Sequence, residues 1–83
     1  ARAEEFMIRA RELDPQRPEF AQGLGILYHQ YMSQMDGLAA EKKREYMDLA
    51  IEHYQDYLRL GGSDTANVKK WIEECGGRAK SGG

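Results

Sequence analysis

Residues 21–62 read AQGLGILYHQYMSQMDGLAAEKKREYMDLAIEHYQDYLRLGG, and this stretch decides the fold. Before Asp36-Gly37, Leu24, Leu27, Tyr28, Tyr31 and Met35 recur at helical spacing; after it, Met47, Ala50, Ile51, Tyr54 and Leu58 do the same. Each apolar face needs a partner, and a short link makes the neighbouring helix the nearest one. The spacing therefore predicts two long helices, about 18–35 and 38–60, folded back on each other at Asp36-Gly37, a turn signal.

Working outward, residues 1–13 form a shorter helical segment with Phe6, Met7, Ala10 and Leu13 as its apolar stripe. Asp14-Pro15 ends it, because the residue before proline is pushed out of the helical region. Pro18 suits the first turn of the next helix, where its missing N–H costs nothing. Gly61-Gly62 stops the second long helix, one of the two fitting the left-handed C-cap position. Ser63 or Asp64 caps a short helix from Thr65 to Cys75, whose apolar side is Val68, Trp71, Ile72 and Cys75. The tail, 76–83, is expected to be flexible. β-Branched residues are few, four Ile, one Val and one Thr, and no strand pattern competes, so the class is all-α with about four helices.

At 83 residues with 31% charged and 41% apolar residues, the chain has the composition of one soluble globular domain. A net charge of −2 argues against nucleic acid, and the basic run Lys42-Lys43-Arg44 between Glu41 and Glu45 reads as a solvated helix face. No apolar run approaches the roughly 20 residues a membrane span needs, so no membrane insertion is expected. No targeting motif is visible, and a first residue other than Met suggests a processed or excised piece; compartment stays open. The single cysteine, Cys75, excludes an internal disulfide framework and reads as a half-buried structural thiol.

The residues carry a repeat. Leu24-Gly25-x-x-Tyr28 matches the L-G-x-x-Y core of a tetratricopeptide repeat, and Ala50-x-x-x-Tyr54-x-x-Tyr57-Leu58 resembles the A-x-x-x-F-x-x-A-L stretch of its second helix. Ala3, Met7, Ala10 and Pro15 fit the same second-helix positions one unit earlier. Counting on from Gly62 puts Trp71 on the Leu position and Cys75 on the Tyr position. The chain resembles the tetratricopeptide repeat family: the second helix of one repeat (1–14), one whole repeat (18–62), and the first helix of another or a capping helix (64–75). Pro18 to Asp64 is 47 residues where the family has 34, and the extra thirteen around the hairpin turn would lengthen each helix by roughly 10 Å. The family's large residue four before Gly25 is here Ala21, and its small residue before Leu58 is here Tyr57. Gly25, without a side chain, is expected to let its helix approach Ala50 closely; Gly23 has no comparable role readable from sequence.

The resemblance implies a protein-recognition scaffold in which first helices line a concave groove for an extended peptide or partner helix. Position by position, that groove would carry Glu19, Gln22, Ile26, His29 and Gln30, followed by Ala66, Lys69 and Glu73. Relatives that clamp C-terminal carboxylates use Lys, Arg and Asn here; this chain offers only Lys69, so such a ligand is not expected. The partner is a protein or peptide that the sequence does not name. The rival reading is a self-association or repeat-stacking element, since half-repeats leave apolar stripes uncovered. A third possibility is adaptable contact through a hairpin tip of Tyr31, Met32, Met35, Leu38 and Tyr46, although packing within the hairpin is the simpler fate of those residues.

Chemistry finds little purchase. His53 and Asp56, at i and i+3, offer two ligands where a metal needs three or four, and His29 lies on the other helix; both histidines read as surface residues. No nucleophile motif or phosphate-cradling loop is present, and Glu4-Glu5 and Glu73-Glu74 lack apolar enclosure. Neither enzyme activity nor a cofactor or metal is expected.

Overall fold

The computed structural model describes residues 2–77, so the expected flexible tail lies, from residue 78 on, outside the described residues. Four helices follow in order: α1 (Arg2–Leu13), α2 (Pro18–Ile26), α3 (Ala40–Arg59) and α4 (Thr65–Glu74), with no strand among the described residues. α2 and α3 form the antiparallel hairpin; α1 packs on α2 and α4 on α3. No helix among the described residues is long and apolar enough to cross a membrane.

The helix ends are set by local chemistry. Pro18 opens α2 after the Asp14-Pro15 turn. Gly61 adopts φ 85°, and the N–H groups of Gly62 and Gly61 donate to the carbonyls of Tyr57 and Leu58 at 3.0 and 3.1 Å. Gly76 (φ 89°) and Gly77 repeat the arrangement on Glu73 and Ile72. Both pairs are Schellman caps, and glycine alone takes the left-handed position without strain. Asp64 stands before α4, but its carboxylate accepts from the Asn67 side chain at 3.1 Å and makes no side-chain cap to the backbone.

α2 departs from the expected long helix to Met35. It passes at Leu27–Tyr31 into a π turn, where Met32 N–H reaches Leu27 O, then into a 3-10 turn at Met32–Gln34, and Met35 is extended. A π turn adds one residue to a helical turn and rotates everything after it. The buried positions accordingly move from Ala21, Leu24, Gly25 and Tyr28 to His29 and Ser33. Tyr31 and Met35, predicted on the apolar face, are turned out and stand 65% and 50% exposed. Ser33 Oγ donates to the His29 carbonyl at 2.6 Å, engaging backbone in this turn.

The core is Ala21, Leu24, Tyr28, Ala50, Tyr54, Tyr57, Val68, Ile72 and Cys75, drawn from α2, α3 and the α4 stripe. At the hairpin crossing Gly25 meets the ring of Tyr54, one turn beyond the Ala50 expected there, and a Cβ at Gly25 would collide with that ring. Gly23 has the role that its sequence hides: the Met7 methyl of α1 occupies the space its side chain would need. Tyr57, large where the resemblance wants a small residue, fits because its ring lies against Gly62, and its hydroxyl accepts the Asp64 N–H at 2.7 Å.

On α1 the expected stripe is half wrong. Met7 packs on the core, but Phe6 and Leu13 are 74% and 81% exposed. They lie across the helix from Glu4, Met7 and Arg11, which hold α1 to the body.

Spacing repeats along the chain. α2 and α4 start 47 residues apart, at Pro18 and Thr65, and the same offset relates buried Ala21 to Val68, Gly25 to Ile72 and Tyr28 to Cys75. Trp71, at the position of Leu24, is half-buried and tilted on Tyr54 at 5.6 Å between ring centroids.

Candidate functional site

The residues expected to line a groove do not share one environment. Glu19 and Gln30 on the α2 segment are exposed, as are Ala66, Lys69 and Glu73 on α4, while Gln22 and Ile26 are half-buried. Ile26 packs against the core. His29 is the correction: it is 8% exposed, because the π turn rotates it inward, and so offers no groove surface.

Glu19 and Gln22 line a cleft of about 330 Å³ with Pro18, Tyr57 and the Gly61–Asp64 link. At the opposite end of α4, Ala40, Lys43, Arg44 and Met47 of α3 face Glu74, Cys75 and Gly76 across a mostly apolar recess of about 290 Å³. Arg44 closes one side by donating to the Cys75 carbonyl at 2.7 Å.

Between them, a polar string runs through the core. The Gln30 side chain hydrogen-bonds to the Tyr54 hydroxyl. That hydroxyl lies 3.0 Å from His29 Nδ1, and His29 Nε2 lies 3.5 Å from a Glu74 carboxylate oxygen. The partners fit one tautomer: Tyr54 donates to Nδ1, and the proton on Nε2 faces Glu74. Burial holds the His29 pKa below its usual value, against the opposing pull of Glu74. The string ties α2, α3 and α4 together around a neutral imidazole.

A second polar set fastens α1. Tyr28 Oη donates to Glu4 at 2.6 Å, and its ring stacks against both Tyr46 and His53, centroids 5.9 and 5.7 Å away. Arg11 donates from Nη1 to His53 Nδ1 at 2.6 Å and from Nη2 to Asp56. His53 and Asp56, three residues apart and weighed as a metal pair, are thus joined by a guanidinium. Burial, then the Arg11 charge, lowers the His53 pKa, so the second histidine read as a surface residue is also partly enclosed. Burial favours a neutral Asp56, but hydrogen bonds from Arg11 and Arg59 outweigh it and hold the carboxyl below its usual range.

Among the described residues, no group of three or more His, Cys, Asp or Glu is gathered to hold a metal. The Cys75 thiol is buried, and burial pushes its pKa up to about 11, far from a reactive thiolate. Spacing alone gave no sign of the Arg11 and Glu4 contacts, which join residues 24 to 45 positions apart. Comparison of the chain with models of protein families, with curated proteins and with solved structures returns no match.

Proposed function

We propose that this chain is a tetratricopeptide-like, non-enzymatic interaction unit that takes a peptide or helix of another protein on the surface of α2 and α4. The observation that carries the reading is the 47-residue offset, which relates two helix starts and three pairs of buried positions. Units that repeat in phase stack into scaffolds whose successive first helices present one continuous surface. The residues of that surface are Glu19, Gln22, Ile26, Gln30, Lys69 and Glu73, with His29 withdrawn into the core. Their mixed polarity around a half-buried Ile26 suits a peptide held by a small apolar contact and a polar rim.

The test is retention of binding proteins by the intact parent chain, compared with Ile26→Glu and with a Gln22→Lys, Lys69→Glu double variant. The double variant leaves Ile26, which packs on the core, in place and guards against misfolding, which far-ultraviolet circular dichroism monitors. Loss of the same partner from both folded variants supports the groove. Equal recovery by wild type and both variants moves the binding surface elsewhere.

A further inference from the structure

We infer that α1 carries a proton-operated latch: a proton taken by His53 expels the Arg11 guanidinium and frees the second half of α1 from α3. This does not rest on the peptide-binding reading. Arg11 stands in the last turn of α1 and reaches two side chains of α3. Its Nη1 lies 2.6 Å from His53 Nδ1, and its Nη2 lies 2.5 Å from an Asp56 carboxylate oxygen. A guanidinium has donors and no acceptor, so Nδ1 is the bare acceptor and the ring proton sits on Nε2. The closed joint therefore requires a neutral imidazole. A proton on Nδ1 sets donor against donor and two positive charges in contact. The Arg11 side chain is only 18% exposed, so water screens that repulsion weakly.

The groups around His53 decide which partner gives way. From α2, the Tyr28 ring stacks on the imidazole at 5.7 Å with 12° between the planes, a seat that a charged ring keeps. On α3, Glu52 and Asp56 favour the charged ring, but Glu52 is exposed and Asp56 already accepts from Arg11 and from Arg59. Burial and the Arg11 charge outweigh both carboxylates and hold the His53 pKa below its usual 6.5. By linkage the closed joint is whole above about pH 6.5 and weakens as pH falls from there. Arg11, on a long flexible stem, is the group that moves. The first half of α1 is held differently, by Glu4 on the Tyr28 hydroxyl and by Met7 against Gly23, with no histidine at either contact. Acid therefore parts residues 9–13 from α3 while residues 4–7 stay on α2. An unsupported last turn of helix frays, because it lacks the packing that stabilises short helices.

Amide exchange of the whole chain at about pH 7.5 and about pH 5, each rate divided by the intrinsic rate of that amide, tests this. Protection of amides 9–13 is expected to fall about tenfold at the lower pH. His53→Asn sets an uncharged acceptor near the place of Nδ1 at similar helix propensity and takes no proton there. In that variant amides 9–13 should keep their protection within about twofold, while α4 responds to acid as in the wild type. A second measurement, the titration of the His53 ring by nuclear magnetic resonance, does not depend on that variant. Arg11→Gln should raise its midpoint towards 6.5. Protection of amides 9–13 that is unchanged by acid overturns the proposal, as does a loss that persists in His53→Asn. So does an Asn variant that protects α4 as much as α1, or a His53 midpoint that Arg11→Gln leaves in place.

Discussion

The first and last helices of this molecule meet the core differently and turn different faces to water. α4 sinks Val68, Ile72 and Cys75 into the core and turns lysines, glutamates and small polar residues to water. α1 holds on through Met7 and two polar links, and turns Phe6 and Leu13 to water. The apolar residues of the two short helices thus meet different fates: Val68 and Ile72 of α4 make core, while Phe6 and Leu13 of α1 make surface.

The sharpest way to break this comparison is to truncate one apolar residue on each helix. Ile72→Ala is expected to lower stability by about 2–5 kcal/mol, since it empties a fully buried site. Leu13→Ala is expected to change it by less than about 0.5 kcal/mol, the usual effect of an exposed position. Urea melts of both variants decide the matter; similar losses would mean that α1 is packed as α4 is.

A second pair tests how closely α1 and α3 each meet α2 through glycine. Gly25→Ala sets a methyl against the Tyr54 ring in the core and is expected to destabilise by about 1–3 kcal/mol, with roughly 4–8 °C in Tm per kcal/mol. Gly23→Ala meets only the flexible end of Met7, and alanine gains up to about 1 kcal/mol in helix propensity, so its Tm should stay level or rise. Equal losses at the two glycines would place α1 as tightly on α2 as α3 is.

Tyr28→Phe removes the hydroxyl that ties α1 to α2 while keeping the aromatic stack. A loss of about 1 kcal/mol is expected, with faster amide exchange in α1 and little change in α4. Uniform acceleration across both helices would contradict a separately fastened α1.

How much of this could be read in the chain follows from range. The helix ends were legible because proline and paired glycines act locally, and the 47-residue phase was legible because it is a spacing. The π turn was not. Leu27–Tyr31 contains neither proline nor glycine, and one extra residue in a turn leaves no mark on composition. Together with the 3-10 turn and extended Met35 that follow, it exchanges Tyr31 and Met35 for His29 and Ser33 at the core, and so removes His29 from the expected groove. The stripe on α1 was correctly seen as apolar, but an apolar pattern does not say whether a neighbour exists to cover it. Gly23, Arg11 and Glu4 gain their roles only when distant helices arrive. The π turn thus takes His29 out of the surface that spacing assigns to α2 and α4, which composition could not announce.

The smallest effect expected is with pH. His29 and His53 both have folded pKa values below the usual 6.5, so the folded chain resists protons that the unfolded chain accepts. Their contribution is whole above about pH 6.5 and is lost as pH falls from there towards the folded values. Asp56, held below 3.8, contributes down to that region and loses its contribution only in stronger acid. Tm should fall between pH 7.5 and pH 5 (about the window in which histidine charges), and His29→Gln with His53→Gln should flatten the slope. A slope unchanged in the double variant would assign the pH dependence to other groups.

The account depends most on the register of the α2 and α3 crossing, because the π turn, the buried imidazole and the 47-residue phase are all counted from it. Nuclear Overhauser contacts from the Gly25 α-protons of the labelled chain measure that register directly. The expected result is strong contacts to the Tyr54 ring protons, with the His29 ring also reporting Tyr54. Contacts from Gly25 to the Ala50 methyl without Tyr54, and from Tyr31 in place of His29 to the α3 core, would contradict it.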